Sequence, residues 1–96
     1  IMPKITKTDA LDRTKGMLVR KFKLPAEPLS TTNLRKAPPN GLGKNDGQIR
    51  LLENPIETVD FADVEAQVIG SNLVAAKTVG GLRDKIWAGI PDKFKA

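Results

Sequence analysis

The stretch NPIETVDFADVEAQVIGSNLVAAKTVGG, residues 54–81, decides how this chain is read. Its first part gathers acid. With Glu53 just ahead of it, Glu57, Asp60, Asp63 and Glu65 make five carboxylates in a short span of a chain whose formal net charge is +5. The cluster reads first as a helix start. Asn54 has the side chain of an N-cap, Pro55 suits a first helical position that needs no N–H, and Glu57 stands three residues after the cap, where a capping box wants it. Glu57, Asp60 and Asp63 then lie in the first turns, where each carboxylate offsets the helix dipole by about 0.3–1 kcal/mol. Carboxylates three residues apart also occur in acid–base and metal sites, but those sites usually recruit His, and the chain has none.

Beyond the acids, apolar residues recur at Phe61, Val64, Val68, Ile69, Leu73, Ala76 and Val79, which is helical spacing. Ala62, Ala66 and Gly70 add a strip of small residues that another helix backbone can approach closely. Gly80 offers a C-terminal stop. The pattern then resumes in LRDKIWAGI, with Leu82, Ile86 and Trp87, before Pro91. The expectation is a long C-terminal helix with a break near Gly80–Gly81. No other apolar element of equal size exists in the chain. The face formed by Phe61, Val64, Val68, Ile69, Leu73, Ala76, Val79, Leu82, Ile86 and Trp87 is therefore expected in an interface with other subunits, Trp87 being an aromatic anchor there or in a core.

The rest of the chain offers less core. TKTDALDRTKGMLVRKF carries a thin stripe of Leu11, Thr14, Leu18 and Phe22; Thr8 is placed to cap it, Asp9 and Asp12 to open it, and Lys21 and Lys23 to close it. This predicts a short N-terminal helix, capped at Thr8, within a basic helical segment over residues 1–23. Gly16 weakens it by about 1 kcal/mol relative to Ala, so it needs a surface to pack on. From residue 24 to 53 the periodicity disappears among Pro25, Pro28, Pro38 and Pro39, followed by Gly41, Gly43 and Gly47. That composition predicts an extended arm or linker. GLGKND within it lacks the spacing and the Ser or Thr of a phosphate loop and reads as a turn, as does NDG. QIRLL at 48–52 fits either a short strand or a helix start. The fold class is thus mainly α: a short N-terminal helix, an irregular Pro- and Gly-rich arm, and a helical segment over 54–96.

Charge divides the chain. Residues 1–50 hold eleven Lys and Arg against four acids, a net of +7, and residues 51–96 hold five against seven, a net of −2. A basic arm comprising Arg13, Lys15, Arg20, Lys21, Lys23, Arg35 and Lys36 suits either an acidic neighbour or a nucleic-acid backbone. Aromatic residues interleaved with these cations, as a stacking platform for bases requires, are limited to Phe22. The absence of Cys and His rules out thiol nucleophiles, zinc–thiolate sites and the commonest general base together. No catalytic, metal or cofactor residues are expected, and the chain reads as a non-enzyme. No run approaches the roughly 20 apolar residues of a membrane span, and no signal peptide is evident. The expected location is the cytoplasm or an assembled bacterial or phage structure.

TVD at 58–60, Glu65, Asn72 and GLRDKI at 81–86 together resemble the C-terminal helix of bacterial flagellar rod and hook axial proteins. The resemblance spans about residues 58–90. It implies a subunit exported without a cleaved signal, with Val59 to Ile86 in a helical interface. Phage head or tail components rely on the same packing physics. The sequence therefore points to a small structural or assembly subunit packing through its C-terminal helix. The alternative is a nucleic-acid-associated protein using its basic half.

Overall fold

The computed structural model describes residues 4–96, so the first three residues of the predicted basic segment lie outside it. Its longest element is α1, Lys7–Phe22. The cap is Thr6 rather than Thr8: its hydroxyl accepts from the Asp9 N–H, and the Asp9 carboxylate accepts from the Thr6 N–H. Ala10, Thr14, Met17 and Leu18 form the buried stripe, and the Thr14 hydroxyl is satisfied by the Ala10 carbonyl at 2.7 Å. Lys23 ends the helix in the left-handed region at φ 52°, donating its N–H to Val19.

The Pro- and Gly-rich segment is irregular but anchored. Asn33 folds the chain back on itself, its side-chain oxygen accepting from the N–H groups of Arg35 and Lys36. Backbone bonds from Leu34 to Lys77, Val79 to Thr32 and Gly80 to Ser30 then tie it to the residues that open the last long helix. Leu34 is fully buried. Gly41 is required, since a Cβ there would stand 2.5 Å from the Lys36 carbonyl oxygen and 2.7 Å from that of Asn33. QIRLL resolves as helix: α2 spans Asp46–Arg50, capped by Asn45 in a reciprocal box with Gln48.

The long C-terminal helix does not form. A short α3, Glu53–Pro55, runs into a π-helical turn over Ile56–Asp60 and a 3-10 turn over Ala62–Val64, which Glu65 closes in the left-handed region. Residues 66–69 are without helix, α4 is only Gly70–Leu73, and α5 spans Val79–Ala88. Asn54 caps nothing, because α3 is entered from Leu52 already in helical conformation. Gly80 and Gly81 stand in the first turn of α5, where the Thr78 hydroxyl accepts from Gly81; they do not mark a break.

The physical reason is burial. A straight helix through 54–79 would project Phe61, Val64, Leu73 and Val79 along a face with no partner in this chain. Broken at Phe61, Glu65 and Ile69, the segment turns those side chains into one core with Met17, Leu18, Ile49, Leu52, Leu82 and Ile86. Burying each large aliphatic or aromatic side chain is worth about 1.5–3 kcal/mol, whereas helix propensity changes by only a few tenths per residue. The radius of gyration, 12.6 Å, matches the roughly 12.5 Å of a compact domain of this length. A final 3-10 turn, Asp92–Phe94, brings the last residues beside Ile5, which pairs with Phe94 and Ala96 through backbone bonds of 2.9 Å. No helix among the described residues is long and apolar enough to cross a membrane.

Candidate functional site

Seven of the residues expected at a subunit interface, Phe61, Val64, Leu73, Ala76, Val79, Leu82 and Ile86, are buried in the chain's own core. Val68 and Trp87 are partly buried against it, and Ile69 alone points strongly outward. The apolar face is thus covered from within, chiefly by α1 lying against α5 and the π-turn.

The acids meet the basic helix of the same chain. Arg13 grips Asp63 through two bonds of 2.6 and 3.0 Å and also donates to the Asp60 carbonyl at 3.1 Å. Arg20, two turns further along α1, pairs with the Asp60 carboxylate. The bidentate bond from Arg13 holds the Asp63 carboxyl below its ordinary range, and the same bond raises the Arg13 guanidinium. Asp9 is likewise held low, by the Thr6 N–H and hydroxyl. Arg35 is spent internally as well, on Asp46 at 2.7 Å and on the carbonyls of Ala76 and Val74. Lys15 lies 4.0 Å from Glu27. Lys21, Lys23 and Lys36 of the expected basic arm make no ion pair among the described residues.

Glu53 and Glu57 do something sequence reasoning did not anticipate. The Glu57 carboxylate accepts from the Val68 N–H at 2.9 Å and the Glu53 carboxylate from the Gly70 N–H at 2.6 Å. Four residues apart on one helical face, they hold alternate N–H groups of the segment that follows, as a neighbouring strand would. On the other side the Gln67 N–H bonds the Gly89 carbonyl at 3.0 Å. Residues 67–70 are thereby pinned from both flanks, with Ile69 outermost. Among the described residues no cluster of acids suited to a metal forms, and every buried side-chain polar atom is satisfied.

Of the large apolar side chains left exposed, Leu29 and Val59 stand apart, at the proline-lined hollow and beside Arg20 and Lys21, whereas Leu51 and Ile69 share one groove. They are 68% and 61% exposed, and the groove, about 430 Å³, runs between Arg50–Leu51 and Ile69–Ser71 with Gly70 buried at its base. A second groove of about 390 Å³ lies across Ile69, towards Lys85 and Gly89. No local signal marks which of the adjacent Leu51 and Leu52 turns outward; packing gives Leu52 the inward place. No protein-family model, curated protein or solved structure matches the chain.

Proposed function

We propose that this chain is a small, non-enzymatic assembly module that carries its own core and joins other protein subunits through the surface around Leu51 and Ile69. The observation that supports the reading is the placement of two large, mostly exposed aliphatic side chains in the lining of one groove, in a chain that otherwise buries most of its large aliphatics. Membership of a flagellar-type or phage-type structural assembly is a specific form of this proposal, with a pinned surface ridge, rather than a long helix, at the contact.

Size-exclusion chromatography of the chain from its native cells tests it. The expected result is elution in a complex much larger than the monomer, lost in the Leu51→Glu/Ile69→Glu variant and kept in Lys21→Glu/Lys36→Glu. A native chain that elutes as a monomer refutes the reading.

A further inference from the structure

The ridge bearing Ile69 has a chemistry that specifies its partner. Its backbone is fixed before anything binds, because Glu57, Glu53 and the Gly89 carbonyl already hold the N–H groups of Val68, Gly70 and Gln67. A surface ordered in advance loses little conformational freedom on docking. Two cations border it, Arg50 in the groove on one side and Lys85 in the groove on the other. Neither makes an ion pair among the described residues, in contrast to Arg13, Arg20, Arg35 and Arg83. The nearby carboxylates of Glu53 and Glu57 accept from backbone N–H groups and pair with neither cation, Glu53 keeping its charge in the groove beside Arg50. What faces outward is an apolar centre, Leu51 and Ile69, between two cations that make no ion pair among the described residues.

Resting on the assembly reading, we infer that this surface receives an acidic segment of a partner protein, with one or two large apolar side chains flanked on both sides by Asp or Glu. The apolar side chains enter the grooves beside Ile69, and the flanking carboxylates meet Arg50 and Lys85. Charge of this kind at the rim of an apolar contact selects partners and sets register. A nucleic-acid backbone would satisfy the two cations but would leave Leu51 and Ile69 without a use.

The test is a titration of the ¹⁵N-labelled full chain with a capped twelve-residue peptide carrying a central Leu-Phe-Leu triplet between runs of Asp and Glu. Control titrations use the same peptide with Lys in place of the acids, the same peptide with Ser in place of the triplet, and a twelve-nucleotide oligothymidine. The expected result is amide shifts confined to residues 50–54, 67–72 and 85–89 with the acidic peptide only. Arg50→Glu/Lys85→Glu should weaken that binding by about tenfold and turn the preference to the Lys peptide. Equal binding of the Lys or Ser peptides, shifts mapping elsewhere, or a stronger response to the oligonucleotide overturns the inference. A native complex that depends on Leu51 and Ile69 in a chain that ignores the acidic peptide overturns this inference alone. A native chain that runs as a monomer overturns the reading beneath it.

Discussion

Replacing Gly70 by Ala distinguishes two ways of folding the same residues by the sign of its effect. In a continuous helix through 54–79, Gly70 is an interior glycine, and Ala there stabilises by up to about 1 kcal/mol. In the observed fold Gly70 opens α4 against α2, and a Cβ would stand 2.7 Å from Arg50 Cγ and 3.0 Å from the Arg50 carbonyl oxygen. Both separations are well inside ordinary van der Waals contact. The first atom lies near the root of the Arg50 side chain and the second is backbone, so relief requires α2 and α4 to separate, stretching the 2.6 Å bond from the Gly70 N–H to Glu53. Overpacking of this kind costs about 1–3 kcal/mol, and in a domain of this length each kcal/mol lowers Tm by about 4–8 °C. Gly16→Ala is the internal control. Its Cβ in the middle of α1 meets nothing nearer than the Arg20 guanidinium at 3.4 Å, so the same chemical change should stabilise by about 0.5–1 kcal/mol. Thermal unfolding followed by far-ultraviolet circular dichroism, with Trp87 fluorescence as a second probe, measures both. A Gly70→Ala chain as stable as the wild type, or more so, refutes the broken arrangement.

Three further outcomes follow from the same geometry. Glu57→Ala strips the Val68 N–H of its partner at a partly buried position and should cost about 1–3 kcal/mol with faster Val68 amide exchange, against under 1 kcal/mol were the carboxylate merely facing a helix dipole; urea unfolding decides between them. Asp63, whose carboxyl is held below the unfolded value of 3.8 by Arg13, contributes stability that is present above that value and lost as pH falls through its lower folded value. Asp63→Asn should therefore be less stable than wild type by about 0.5–1 kcal/mol at pH 7, the pair being half-exposed, and the gap should close in acid; a gap independent of pH contradicts the role given to the pair. Finally, a fragment of residues 24–96 should be largely unfolded, because it loses Ile5, Met17 and Leu18 from the core, each worth about 1.5–3 kcal/mol, and bares the side chains they cover, in a domain with about 5–15 kcal/mol in all. A dispersed amide spectrum from that fragment would show that α1 is dispensable.

Much of α1 is legible in sequence, since its stripe of Thr14 and Leu18 and its basic end are local signals, although the cap falls at Thr6 because a reciprocal box with Asp9 satisfies two N–H groups at once. The mainly helical class is legible for the same reason. Residues 54–79 are not. Their apolar spacing is truly helical, yet the same side chains, Phe61, Val64 and Leu73, reach the core only if the helix is interrupted. Nor is the fate of the acids legible: which carboxylate caps, which pairs with an arginine 40 or 50 residues earlier, and which holds the N–H of a passing segment depends on what folds beside it.

The sequence by itself therefore determined the chemistry the chain lacks, the unequal charge of its halves, the N-terminal helix and the identity of the apolar side chains available for a core. Only the tertiary structure decided that this core closes within one chain, that Asp60 and Asp63 answer Arg20 and Arg13 of the same molecule, and that Leu51 and Ile69 are left outside. The reason is the range of the forces. Capping and dipole effects act over one turn and can be read residue by residue, whereas burial of apolar surface is settled by the whole chain at once and overrides a few tenths of a kcal/mol of local preference wherever the two conflict.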